Sequence, residues 1–169
     1  KFTAKRRPTE TSSWFDTVAD EILEKVSLAE NSMTGEPGKE FISTVTDLKI
    51  LASLSRYYAR RILAAINYNL YLKTGDLFSF DQAIEIEQAA RDAWAGIVTS
   101  AGDVYRKELD FGVHQVGFSR HWSEELEHLD QGLKQLKADR GKVRPPEHDL
   151  GPLITHVPVR FIKPAEEMN

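Results

Sequence analysis

A chain of 169 residues, 41% apolar and 28% charged, has the make-up of one folded domain rather than of a disordered segment. Its net charge of −4 gives no broad attraction to nucleic acid or to an anionic membrane, and no apolar run approaches the ~20 residues needed to span a bilayer. The absence of cysteine excludes disulfides, thiolate nucleophiles and cysteine-ligated zinc.

The chain opens on a basic cluster, Lys1, Lys5, Arg6 and Arg7, beside Pro8. This reads as a flexible N-terminal tail over residues 1–11. With no initiator Met and no signal-peptide pattern, the sequence is expected to be a processed or excised piece. A first helix is expected from Trp14 to Met33. Ser13 followed by Asp16 resembles a capping box, and Trp14, Val18, Ile22, Val26 and Ala29 recur at helical spacing. Thr34-Gly35-Glu36-Pro37-Gly38 stops it, because glycine accepts the left-handed conformation and proline cannot continue a helix.

The second helix runs from Glu40 or Thr46 to Lys73. One apolar set, including Leu48, Leu51, Tyr58, Ile62 and Ile66, and a second, including Ile50, Tyr57, Ala64 and Leu72, point in different directions. Apolar residues on more than one face predict a central helix touched by several neighbours. After Thr74-Gly75-Asp76, Ser79 with Gln82 is expected to cap a third helix reaching about Ser100. So short a link places helices two and three antiparallel and adjacent.

Gly102, Gly112 and Gly117 break any long helix between Ala101 and Phe118, leaving room for a short one from Asp103 to Leu109. Ser119 or Ser123 is expected to cap a last helix whose stripe Trp122, Leu126, Leu129, Leu133 and Leu136 steps by four and three. Beyond Arg140 the prolines 145, 146, 152, 158 and 164 exclude continued helix. Val157, Val159 and Phe161 alternate with polar residues like one extended strand, which either straps the bundle or begins another domain.

The organisation expected is therefore an all-α antiparallel bundle of four to five helices over residues 12–140, followed by a proline-rich extended C-terminal segment over 141–169. That segment acts as a linker or strap leading to a following domain.

Reactive constellations are sparse. Carboxylate-bridged di-iron bundles need a Glu-x-x-His pair on each of two helices, and only Glu125 with His128 supplies one. Glu85 with Glu87, and Glu108 with Asp110, are paired acids that nothing in the sequence brings opposite a partner. None of the five histidines stands in a metal-ligand spacing. There is neither a Gly-x-Ser-x-Gly elbow nor a phosphate-binding loop. No cofactor, catalytic residue or metal site is assigned.

Two clusters could instead meet a partner. The first is the mid-helix run Arg56-Tyr57-Tyr58-Ala59-Arg60-Arg61 with Tyr68 beyond it. Tyrosine joins an apolar body to a polar tip, and arginine is buried only when paired with an acid. The second is the glycine-bearing stretch Phe111 to Trp122 with His114 and His121. Candidate interface or ligand contacts are thus Arg56, Tyr57, Arg60, Arg61, Tyr68, His114 and His121.

Two resemblances follow. Ala65 to Trp94, with Tyr71, the Thr74-Gly75-Asp76 turn and Ala83, Ala89 and Ala90, resembles a single tetratricopeptide-type helical hairpin. Asp47-Leu48-Lys49-Ile50-Leu51-Ala52, Tyr57 to Ile62, Thr74-Gly75-Asp76 and Ala93-Trp94 together resemble helical accessory modules of large bacterial multidomain carbohydrate-active proteins. Ile154 to Val159 is similar to the entry into a β-rich module. The second resemblance covers roughly residues 45–160 and carries no catalytic motif. It implies a non-catalytic helical module of a polysaccharide-processing protein, packing against or supporting neighbouring domains of the same polypeptide and assisting glycan contact. It also implies a periplasmic or secreted location. An alternative is a protein-interaction scaffold that binds a partner helix or peptide, for which an exposed apolar patch of several hundred Å² is expected. A third reading is a metal-dependent enzyme centred on Glu125 and His128. Nothing points to nucleic acid or to a membrane.

Overall fold

The computed structural model describes residues 6–105 and 121–143. Every regular element among them is an α-helix: α1 Pro8–Ser32, α2 Lys39–Thr74, α3 Leu77–Ala101 and α4 Trp122–Lys142. The strand expected at 157–161 and the proline-rich segment from 144 onward lie outside the described residues, as does most of the stretch read as a short helix near 103–109.

Local chemistry sets the ends of the helices. α1 begins six residues earlier than the Ser13 signal suggested, so part of the expected tail is helix. Proline at the first helical position needs no hydrogen-bond partner for its nitrogen, and the Glu10 carboxylate accepts the Arg7 backbone N–H at 3.0 Å. Ser13 is exposed inside the helix, where its carbonyl accepts the Thr17 hydroxyl. α2 ends at Gly75, whose φ of 74° suits glycine and lets its N–H reach the Tyr71 carbonyl at 2.7 Å. Asp76, not Ser79, caps α3. Its carboxylate accepts the backbone N–H groups of Phe78 and Ser79 at 3.2 and 3.1 Å, and also the Ser79 hydroxyl at 2.5 Å.

Packing follows from side-chain size. Ala19 on α1 and Ala52 and Ala59 on α2 are all fully buried, so the two backbones lie close. The Ser12 hydroxyl, buried on the same face, donates to the Ala59 carbonyl at 3.0 Å. Asp16–Arg60, Asp20–Arg56 and Glu30–Lys49 pairs at 2.5, 2.8 and 2.6 Å mark the antiparallel register. The stripe expected on α1 holds at Val26, which is buried, but not at its ends: Trp14 is 50% exposed and Ala29 is exposed, whereas Ser12 and Ala19 are buried. A helix that meets a single neighbour at close range turns small residues toward it, leaving the large ring at the edge.

α2 and α3 share the apolar centre. Gly96 of α3 lies against Ser53, where an added Cβ would come within 3.0 Å of the hydroxyl oxygen. Trp94 meets Tyr57 edge-on at 4.9 Å, and Phe80, 2% exposed, stacks on Tyr71 at 4.3 Å. Ile50, Ile97 and Ala101 form a buried cluster, with Leu54, Trp94, Tyr105 and Trp122 packed around it.

α4 runs antiparallel along α3. The Trp94 indole N–H donates to the Trp122 carbonyl at 2.9 Å, and Arg91 and Arg140 each grip an acid with two nitrogens, Asp130 and Asp81. Of the expected leucine seam only Leu133 is fully buried. Among the described residues the helix backbones come close only between chain neighbours: α1 with α2, α2 with α3, α3 with α4. The result is an open all-α bundle.

Candidate functional site

Because α2 and α4 both lean on α3 with their backbones held apart, a groove of about 330 Å³ is left between them. Small residues make its floor: Ala64 and Ala65 on α2, Ala83 on α3 and Gly132 on α4. Tyr68 and Leu136 supply bulk along its walls, and Arg61 and Glu87 bring charge. The tandem of α2 residues 61, 64, 65 and 68 shares one helix face by its three- and four-residue spacing, which is why one groove collects them.

Arg61 and Glu87 form an ion pair across α2 and α3, with the Glu87 side chain only 15% exposed. The Arg61 guanidinium also lies 5.9 Å from the centre of the Tyr57 ring. Burial pushes the Tyr57 phenol above its usual pKa. Arg61 pulls it back, while the charges of Glu87 and Glu125 add to the rise. The groove therefore holds its charge in an internal pair, beside a phenol kept neutral. Such a surface can accept apolar side chains and offer a few polar anchors. It offers no activated nucleophile or paired general acid and base.

The residues singled out in the sequence separate into distinct places. Tyr57, Arg61 and Tyr68 are brought together beside this groove. Arg56 and Arg60 turn the other way, to Asp20 and Asp16 of α1, and serve to hold α1 on α2. His121 is buried at the start of α4, where its Nδ1 accepts the Ser123 backbone N–H at 3.2 Å as a helix cap. His114 lies outside the described residues.

Glu125 and His128 stand 3.4 Å apart with both side chains about half exposed. Among the described residues no group of three or more histidines and acids is placed to hold a metal ion. Glu85 is engaged by Gln82 at 3.0 Å, whereas Glu87 belongs to the groove. Ala64, Ala83 and Gly132 were not anticipated as lining. Their one sequence signal is small size beside a single larger apolar residue, Leu63, Ile84 and Leu133 respectively.

Comparison with protein-family models, with curated proteins and with solved structures returned no match.

Proposed function

We propose that this chain is a non-catalytic helical module that packs against and braces neighbouring domains of a multidomain polysaccharide-processing protein. The polysaccharide context rests on the sequence resemblance. The bracing role is supported by one observation above all: among the described residues the helices form an open array, with backbones close only between chain neighbours. A closed four-helix bundle hides its apolar faces within itself, whereas an open array leaves flanks on which other protein can pack. Ion pairs between helices, such as Arg60–Asp16 and Arg140–Asp81, hold the array in shape.

The groove between α2 and α4 favours a related reading, in which the module holds a helix or peptide of its partner. Its small-residue floor admits a close approach, and Tyr68 and Leu136 give an inserted side chain apolar contact. Gly132 allows a clean test, because an added Cβ there meets nothing within 4 Å. Lysine-directed cross-linking of the intact parent protein should join Lys134 or Lys137 to residues of another domain. Gly132→Phe should weaken those links without loss of helicity. Links confined to the module in the unaltered protein would contradict both readings.

A further inference from the structure

α2 carries a third face that α1 and α3 cover only at its margins. Positions 48, 51, 55, 58, 62, 65, 69 and 72 step by three and four without interruption and include no charged residue. That is the heptad spacing of a helix seam, sustained over about 36 Å at 1.5 Å per residue. The structure leaves much of it open to solvent: Leu51 is 50% exposed, Tyr58 48% and Leu72 61%. Trp14 extends the same face from α1, through Phe15, whose ring lies 5.9 Å from Tyr58. Together with Ile66, these exposed side chains present roughly 500 Å², near the top of the range for the largest apolar patch on an ordinary monomer.

We infer that a second copy of this chain covers this face, with the two α2 helices packed antiparallel about a two-fold axis. The first reason is fit. With the axis level with residue 60, Leu48 meets the partner's Leu72, Tyr58 meets the partner's Ile62, and Ser55 meets the partner's Ala65. Three of the four levels thus set large beside large or small beside small, with Leu51 against the partner's Asn69 at the fourth, so most of the patch complements itself as a two-fold interface requires. The second reason is charge. Asp47 borders the seam at one end and Lys73 at the other. Antiparallel packing brings unlike ends to the same level and opposes the helix dipoles, whereas parallel packing brings like beside like. The third reason is area. Two such patches, if fully covered, would bury on the order of 1,000 Å², the lower bound for a specific interface. Arg61, next to the seam, is turned toward Glu87 and leaves the face uncharged.

This pairing goes beyond the bracing role, and it shares only Ala65 with the lining of the groove. Sedimentation equilibrium of the 169-residue chain at about 100 µM should give a dimer with a micromolar or tighter dissociation constant. Leu51→Lys or Leu72→Lys, both at exposed positions, should raise that constant about tenfold or more while leaving the helical circular dichroism unchanged. Since the chain has no cysteine, Ser55→Cys chains mixed with Ala65→Cys chains should cross-link on oxidation. Ser55→Cys chains alone should not, because their sulfurs would lie about 15 Å apart along the axis. A monomer at that concentration, a dimer indifferent to both lysine substitutions, or efficient self-linking of Ser55→Cys would each overturn the inference.

Discussion

The α2–α3 pair and the α3–α4 pair are both antiparallel helix contacts, yet they are held by different forces. Between α2 and α3 lie Ile50, Ile97, Phe80 and the Tyr57–Trp94 contact, with Gly96 admitting Ser53 at close range. Between α3 and α4 the buried apolar contribution narrows to Leu133 and the edge of Trp122. The remaining grip comes from Arg91–Asp130, Arg140–Asp81, Lys137–Gln88 and the Trp94–Trp122 hydrogen bond. Apolar burial is insensitive to salt and acid, whereas exposed ion pairs are screened and contribute at most about 1 kcal/mol each. The difference makes α2–α3 the spine and α4 an element that opens first. Since α4 is also one wall of the groove, the width of the groove depends on its least firmly held helix.

The largest expected effect breaks the spine. Phe80→Ala removes a ring that is 2% exposed and stacked on Tyr71, and should cost about 3–5 kcal/mol, read as a lower denaturant midpoint for the whole chain. A loss below 1 kcal/mol would mean that the aromatic stack is not part of the core. Leu133→Ala should cost about 2 kcal/mol at the low end for buried leucines. The loss should be concentrated in α4, with amide protection of α2 and α3 nearly unchanged. Equal loss of protection in all helices would erase the distinction between the two contacts.

A smaller effect comes from acid. Hydrogen bonds from Arg91 hold the Asp130 carboxyl below its usual pKa, and Lys142 with Gln135 does the same for Asp139. A carboxyl depressed in the folded state stabilises fully above its unfolded pKa, and that contribution disappears as pH falls through the lower folded value. α4 should therefore loosen below about pH 4, before the spine does, and 0.5–1 M salt should produce part of the same loosening at neutral pH. Circular dichroism, with a fluorescence probe on α4, checks both.

Much of this architecture is legible in the residues. The Gly35–Gly38 and Thr74–Asp76 breaks, the length of α2 and its several apolar faces all follow from local rules that tertiary packing did not override. The need of Arg60 and Arg61 for acids was also readable, and Asp16 and Glu87 supply them. Which acid each would find was not, since that depends on the rotation of α1 and α3 about their axes. The same rotation explains Trp14: periodicity gives a stripe, correct at Val26, but close approach favours Ser12 and Ala19 over a bulkier ring. Asp76 displaced Ser79 as a cap because a carboxylate can accept two backbone N–H groups at once, a competition that residue type alone does not decide. The leucine seam of α4 marked the correct face but overstated its burial. A seam is fully enclosed only between two walls, and among the described residues α3 alone brings its backbone close to α4. The groove is not legible in the sequence because its floor is made by small residues, and spacing rules register what is large.

Native-state hydrogen exchange of the intact chain, at low and at 1 M salt, tests this division most directly. The expected result is that α4 amides exchange through an opening of lower free energy than those of α2 and α3, and that salt lowers protection in α4 alone. Contradiction would be a single common opening energy for all these helices, unchanged by salt.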